Sequence, residues 1–176
     1  MKFEETAISG VWLIELERRE DSRGSFARTF CEREFAAHGL LTRFPQCNLS
    51  ANRQRGTLRG MHFQNEPKPE VKLVRCIRGS IYDVVIDLRR DSPTYCKWFG
   101  VELTADNSRA LYIPAGIAHG FQTLEDNSDL YYHMGEFYEP ELAGGVRWND
   151  PAFRIDWPIS SPILSDKDAA YPDYRP

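Results

Sequence analysis

The chain has 176 residues, of which 41% are hydrophobic, 27% charged and 12% aromatic, with a formal net charge of −4 and a pI near 5.6. That is the composition of a soluble globular domain, and the acidic balance argues against a general nucleic-acid binder while leaving room for an anionic small molecule met by a local basic cluster. No 18-residue apolar run and no basic-then-apolar leader is visible, so neither a membrane span nor a signal peptide is expected, a cytoplasmic location follows, and residues 1–176 are expected to form one domain.

Taken in chain order, the hydrophobic pattern is mostly of period two. "GVWLIELE" (residues 10–17) reads as a strand, and "EDSRG" as the turn after it. "CEREFAAHG" (residues 31–39) is the clearest helix, with Gly39 as its stop. "GTLRGMHFQ" (residues 56–64) reads as a strand that carries Arg59 and His62 in a glycine-punctuated apolar run. "VKLVRCIR" follows, and then "SIYDVVIDLR", where Tyr82, Val84, Ile86 and Leu88 form an apolar face and Ile81, Asp83, Val85, Asp87 and Arg89 a mixed one. "KWFGVELT", "RALYIP", "HGFQTLE" and "DLYYHMGEFY" complete the strands, with turn chemistry between them, and "SDKDAAYPD" adds one helical turn. Many short strands at regular spacing predict an all-β sandwich or barrel, a Greek-key jelly roll with a few short peripheral helices. Cys31, Cys47, Cys76 and Cys96 are widely spaced without a CxxC, so reduced thiols are expected.

Strict alternation places His62 with Leu58, Gly60 and Gln64 and puts Arg59 on the other face, unless Gly60 hosts a bulge. Three readings of His62 stay open: a hydrogen-bonded core histidine, a metal ligand with His119, or a general base inside a barrel. A metal-binding jelly roll needs a His-x-His cluster and a carboxylate, and here Gln64 breaks that cluster. Proton removal beside a carbonyl needs a base, a cation or donor for the enolate oxygen and, for inversion, an acid on the opposite face. His62 supplies the base, Lys72 and Arg59 the cations, and Tyr131 or Tyr132 the acid; each also has a plain structural explanation, since Lys72 resembles a solvated strand-end lysine.

The motifs "DSRGSF", "QCNLS", "GTLRGMHFQ", "KLVRCIRGSIYDVVIDLRRDSPTY", "IPAGIAHGF", "VRWNDP" with "IDWP", and "LSDKD" occur in an order that resembles the dTDP-4-dehydrorhamnose 3,5-epimerases. The resemblance runs from about Gly10 to Asp168. It implies a cupin-like jelly roll, a homodimer with arm exchange, no metal or organic cofactor, and inversion of ring carbons beside the 4-keto group of a nucleotide-linked 6-deoxysugar. Carried over by motif, it makes His62 the base, Asp168 its carboxylate partner and Tyr132 the acid. Lys72, Arg59 and His119 become sugar or enolate contacts, Gln46 and Asn48 substrate-positioning amides, and Arg23 and Phe26 an arm reaching the partner subunit's nucleotide.

Asp168 has a second reading on its own spacing, because Ser165-x-x-Asp168 is also a capping box. Asp83 and Asp87 compete for the histidine, although Arg89 and Arg90 after Asp87 point to a structural ion pair. The chain departs from the family pattern at Arg28, Cys47, Leu49 and His133, and Arg28 and His133 are expected to add positive charge near the nucleotide and sugar. The reading that results is a cofactor-independent nucleotide-sugar epimerase working through an enolate. A 3,4-ketoisomerase and a non-catalytic sugar-binding cupin are the alternatives.

Overall fold

The computed structural model describes residues 1–175. Two antiparallel sheets face each other. The six-stranded sheet has the order β1 (Lys2–Glu5), β2 (Trp12–Glu15), β10 (Arg109–Ile113), β7 (Lys72–Arg78), β12 (Ser128–Met134) and β5 (Gln46–Asn52). The five-stranded sheet has the order β13 (Ala143–Gly145), β6 (Leu58–Gln64), β11 (Ile117–Thr123), β8 (Ser80–Asp87) and β9 (Trp98–Thr104). From β5 onward the chain changes sheet at every step except β8 to β9, which is the winding of a jelly roll. The fold is therefore the expected cupin-like sandwich. Its helices are short: α1 (Glu32–Ala37), ending before Gly39 as expected, a 3-10 turn (Pro140–Leu142) and α2 (Asp166–Ala169). A separate ribbon, β3 (Arg19–Asp21) with β4 (Gly24–Phe26), stands apart from both sheets.

Three apolar layers hold these elements. Between the sheets lie Val74, Ile81, Val85, Leu103, Leu111 and Leu130 with their neighbours. Outside the six-stranded sheet, α1 docks through Phe35, which is fully buried against Ile14, Leu73 and Tyr112; truncating such a phenyl to alanine costs about 3–5 kcal/mol. Outside the five-stranded sheet, the C-terminal segment lays Phe153, Ile155, Trp157 and Tyr174 over Met61, Val84 and Ile86. The apolar face of β8 is thus an outer face, covered by the chain's own tail, and its mixed face, with Asp83, looks into the sandwich. Asp87 makes the structural ion pair with Arg89 at 2.8 Å and also accepts from Ser92 and Thr94.

One irregularity decides what faces the interior. His62 lies opposite His119, but Arg59 lies opposite Phe121, so Gly60 and Met61 together face Gly120. This bulge resets the alternation and turns both Arg59 and His62 inward. Gly60 has φ +144°, and a Cβ there would sit 2.5 Å from the Gly120 Cα, so only glycine fits.

Candidate active site

The two sheets part at one end around a cavity of about 700 Å³. Its five-stranded wall carries His62 and His119, side by side in register on β6 and β11, with Arg59 further along β6. Its six-stranded wall carries Gln46, Asn48, Tyr132, Met134 and Lys72, with Asn48 opposite Tyr132 and Met134 between Gln46 and Lys72. Asp168, Lys167 and Tyr171, on and just after α2, close one side.

His62 is not a core histidine. Its side chain is 40% exposed to the cavity, whereas that of Asp168, 2.6 Å away through Nε2, is 6% exposed. A carboxylate on Nε2 takes a hydrogen bond from that nitrogen, which leaves the Nδ1 lone pair of the neutral ring as the basic site. Asp168 is itself pinned. Its Oδ2 accepts from the Gly60 amide at 3.4 Å, and its own amide donates to Ser165 Oγ at 3.1 Å. The Ser165 half of the capping box and the histidine partnership therefore coexist: the hydroxyl caps the single turn, and the carboxylate goes to His62 and Gly60. Burial pushes the Asp168 carboxyl up, but the hydrogen bond and charge of His62, with the Gly60 and Ser165 contacts, outweigh it and hold Asp168 below its ordinary range.

Gly145, opposite His62 on β13, admits the Tyr171 ring, since a Cβ there would lie 2.2 Å from it. Tyr171 then meets the imidazole edge-on with ring centres 6.1 Å apart. His119 repeats the pairing of His62 with a different partner: its Nε2 lies 2.8 Å from Asp83, which is fully buried. Asp83 and Asp87 thus do not compete for His62.

On the opposite wall, Tyr132 lies on the cavity side of β12. Burial first, and then the charge of Glu70, push its phenol above the ordinary 10, with Arg59 pulling the other way, so it is a protonated donor at neutral pH. Tyr131 packs edge-on to His133 on the outer face, 5.1 Å between ring centres, and is excluded as the acid on geometry. Lys72 is not a solvated strand-end lysine. It is buried, pairs with Glu70, and its Nζ reaches the His62 carbonyl at 3.4 Å. Arg59 Nε donates to Asn52 Oδ1 at 2.9 Å, and Asn48 and Gln46 amides converge on Met134 Sδ at 2.9 and 3.5 Å. Gln64 uses its amide on backbone, donating to the Lys68 and Phe137 carbonyls and accepting from the Glu139 amide.

The structure does not bring Arg23 and Phe26 to this cavity. They stand on the β3–β4 ribbon, Phe26 74% exposed and the Arg23 side chain held by Asp21. One expectation about charge is corrected. His133 lies against Phe44 and Tyr131 behind the six-stranded sheet, and burial together with Arg75 lowers its pKa, so it brings no positive charge to the cavity. Arg28 pairs with Glu34 at 3.2 Å, beside the N-terminal amine and away from the same chain's cavity. Leu49 reaches the cavity rim, and Cys47 is an exposed free thiol, as the other three cysteines are free. Glu70, Tyr138, Lys167 and Tyr171 also line the cavity and stand outside the residues expected from the sequence. Glu70 had a usable signal, since two charges at i and i+2 entering a strand share a face; Tyr171 had none.

An imidazole with its carboxylate on one wall and a phenol on the facing wall are groups that give and take protons, the chemistry an epimerase uses at carbon. The chain matches the family described as dTDP-4-dehydrorhamnose 3,5-epimerase over residues 5–175. A dTDP-4-dehydrorhamnose 3,5-epimerase from Methanothermobacter thermautotrophicus is 46% identical over 177 residues, covering 99% of this chain and 95% of its own. The crystal structure of that enzyme type from Bacillus anthracis, with TDP and PPi bound, superposes with a TM-score of 0.95 at 42% identity over 98% of this chain and 99% of its own. A 3'-monoepimerase from Streptomyces bikiniensis in complex with dTDP-quinovose gives a TM-score of 0.89 at 34% identity over 96% and 85%. The chain belongs to the dTDP-4-dehydrorhamnose 3,5-epimerase family, and it is an isomerase of the nucleotide-sugar epimerase class.

Proposed function

We propose that the whole chain is one catalytic domain that inverts the carbons flanking the 4-keto group of a dTDP-linked 4-keto-6-deoxysugar, with His62 as base and Tyr132 as acid. The observation that carries this reading is the placement of His62–Asp168 and Tyr132 on opposite walls of one cavity. His62 Nδ1 takes the proton from the ring carbon, the C–H electron pair moves into the enolate, and Lys72, with Arg59, meets the charge on oxygen. Asp168 stabilises the imidazolium. The Tyr132 hydroxyl then delivers a proton to the other face of the carbon, and solvent restores both groups. His119, Gln46 and Asn48 orient the sugar and its diphosphate.

A homodimer supplies what one chain lacks. A phenyl left 74% in water beside an arginine on a free-standing ribbon is suited to stack on a base and meet a phosphate at a partner's cavity. Four free thiols fit a reducing, cytoplasmic compartment, and no described helix is long and apolar enough to cross a membrane. The chemistry described needs neither metal nor organic cofactor. The test is incubation with a panel of nucleotide-linked 4-keto-6-deoxysugars in deuterated water, followed by NMR. The expected result is deuterium with inverted configuration beside the keto group of the dTDP sugar. Label at one carbon alone makes the enzyme a single-centre epimerase; binding without exchange for every sugar would overturn the catalytic reading.

A further inference from the structure

Glu70 is a charged side chain at the cavity that the mechanism above does not use. It precedes β7 and lines the cavity two residues before Lys72, and the two side chains are each 8% exposed. One carboxylate oxygen, Oε1, pairs with the Lys72 ammonium; the other, Oε2, is buried and has no hydrogen-bond partner. Such an oxygen is costly to leave bare, roughly 1–3 kcal/mol and more when it carries charge. A binding cavity is where a ligand can relieve that cost.

The donor that fits is narrowly defined. A phosphate is repelled by a carboxylate, and a keto oxygen has no proton to give. A sugar hydroxyl does, and a hydroxyl on a carboxylate makes a short, charge-assisted bond. Glu70 also stands on the acid side, since its charge reaches the Tyr132 phenol. We propose that Glu70 is a specificity-determining residue whose free Oε2 accepts a hydrogen bond from a ring hydroxyl of the sugar, while its Oε1 holds Lys72 in place. The bond turns the ring so that the carbon beside the keto group lies between His62 and Tyr132. Sugars lacking that hydroxyl leave a buried carboxylate oxygen unpaired and are rejected.

This inference rests on the nucleotide-sugar reading, and a binding cycle separates the two. The probes are dTDP-linked 6-deoxyglucose, which has no keto group and does not react, and its 2-deoxy and 3-deoxy analogues, each titrated calorimetrically into wild type and Glu70→Leu. Any effect of freeing Lys72 is common to all ligands and cancels in the ratio. For one of the two analogues, wild type is expected to lose about tenfold or more in affinity relative to the parent, and Glu70→Leu less than about threefold. Equal penalties in both proteins, for both analogues, would overturn the role of Glu70 while leaving the function standing. Failure of wild type to bind the parent would overturn both. If Glu70→Leu does not fold, Glu70→Gln carries the test: it keeps shape and an acceptor without the charge, and an undiminished penalty would refute the proposal.

Discussion

His62 acquires its chemistry from its neighbour. An imidazole 40% open to a cavity, with a nearly buried carboxylate 2.6 Å from Nε2, has its tautomer and orientation set. Asp168→Asn is therefore expected to slow deuterium exchange and inversion together, by about 10²–10⁴-fold, and His62→Ala to abolish both. Retention of wild-type exchange by Asp168→Asn, measured by NMR, would remove the carboxylate from the mechanism. At this scale the residue types suggested His62, Lys72, Arg59 and a tyrosine, and the family resemblance singled out Tyr132 and added Asp168, His119, Gln46 and Asn48; all eight share the cavity. For His133 the alternation already held the direction that the expectation overlooked. His133, adjacent to Tyr132, necessarily faces the other side of β12, and so it lies behind the sheet and not beside the sugar.

Elements place these residues, and β6 does so through a defect. The bulge at Gly60 puts Arg59 and His62, three apart, on one face. Gly60→Ala would drive a Cβ into the backbone of β11 at 2.5 Å from Gly120 Cα. The expected cost is at least about 2 kcal/mol in urea denaturation, with loss of exchange activity; stability within about 0.5 kcal/mol of wild type would contradict the account. The glycine in the strand signalled this bulge. β5 gave no such signal, because Gln46, Asn48 and Ser50, which line the cavity, are polar, whereas Leu49 at its rim is apolar and exposed. A strand that lines a wet cavity inverts the usual pattern, so the period-two pattern does not pick it out. The β3–β4 ribbon belongs to this scale too. If it completes a partner's site, mixing Arg23→Ala with His62→Ala protein is expected to restore part of the activity, because a heterodimer holds one intact cavity. No rescue despite demonstrated subunit exchange would count against shared sites.

The whole molecule is a sandwich whose outer faces are covered by α1 with its flanks on one sheet and by the C-terminal segment on the other, which is why β8 is apolar on the face away from the cavity and carries carboxylates inward. Its acid stability has a specific contributor. Burial raises the Asp87 carboxyl, but Arg89, Ser92, Thr94 and the Arg89 amide outweigh it and bring it from an ordinary 3.8 to about 2. The folded pKa is below the unfolded one, so this stabilisation, about 2 kcal/mol, is full above the unfolded value and is lost as pH falls towards 2. Urea titrations at pH 5 and pH 2 are expected to show wild type losing about 2 kcal/mol more than Asp87→Asn; equal losses would refute the assignment.

The division of labour between facing walls is tested most directly by Tyr132→Phe in deuterated water, with the dTDP-linked 4-keto-6-deoxysugar read by NMR. His62, Asp168 and Lys72 remain, so the enolate still forms, and the imidazolium, after exchanging with solvent, returns deuterium to the original face. The expected result is a labelled substrate of retained configuration, with inversion reduced by about 10²–10⁴-fold. Inversion at the wild-type rate, or loss of exchange along with inversion, would contradict the assignment of base and acid to opposite sheets.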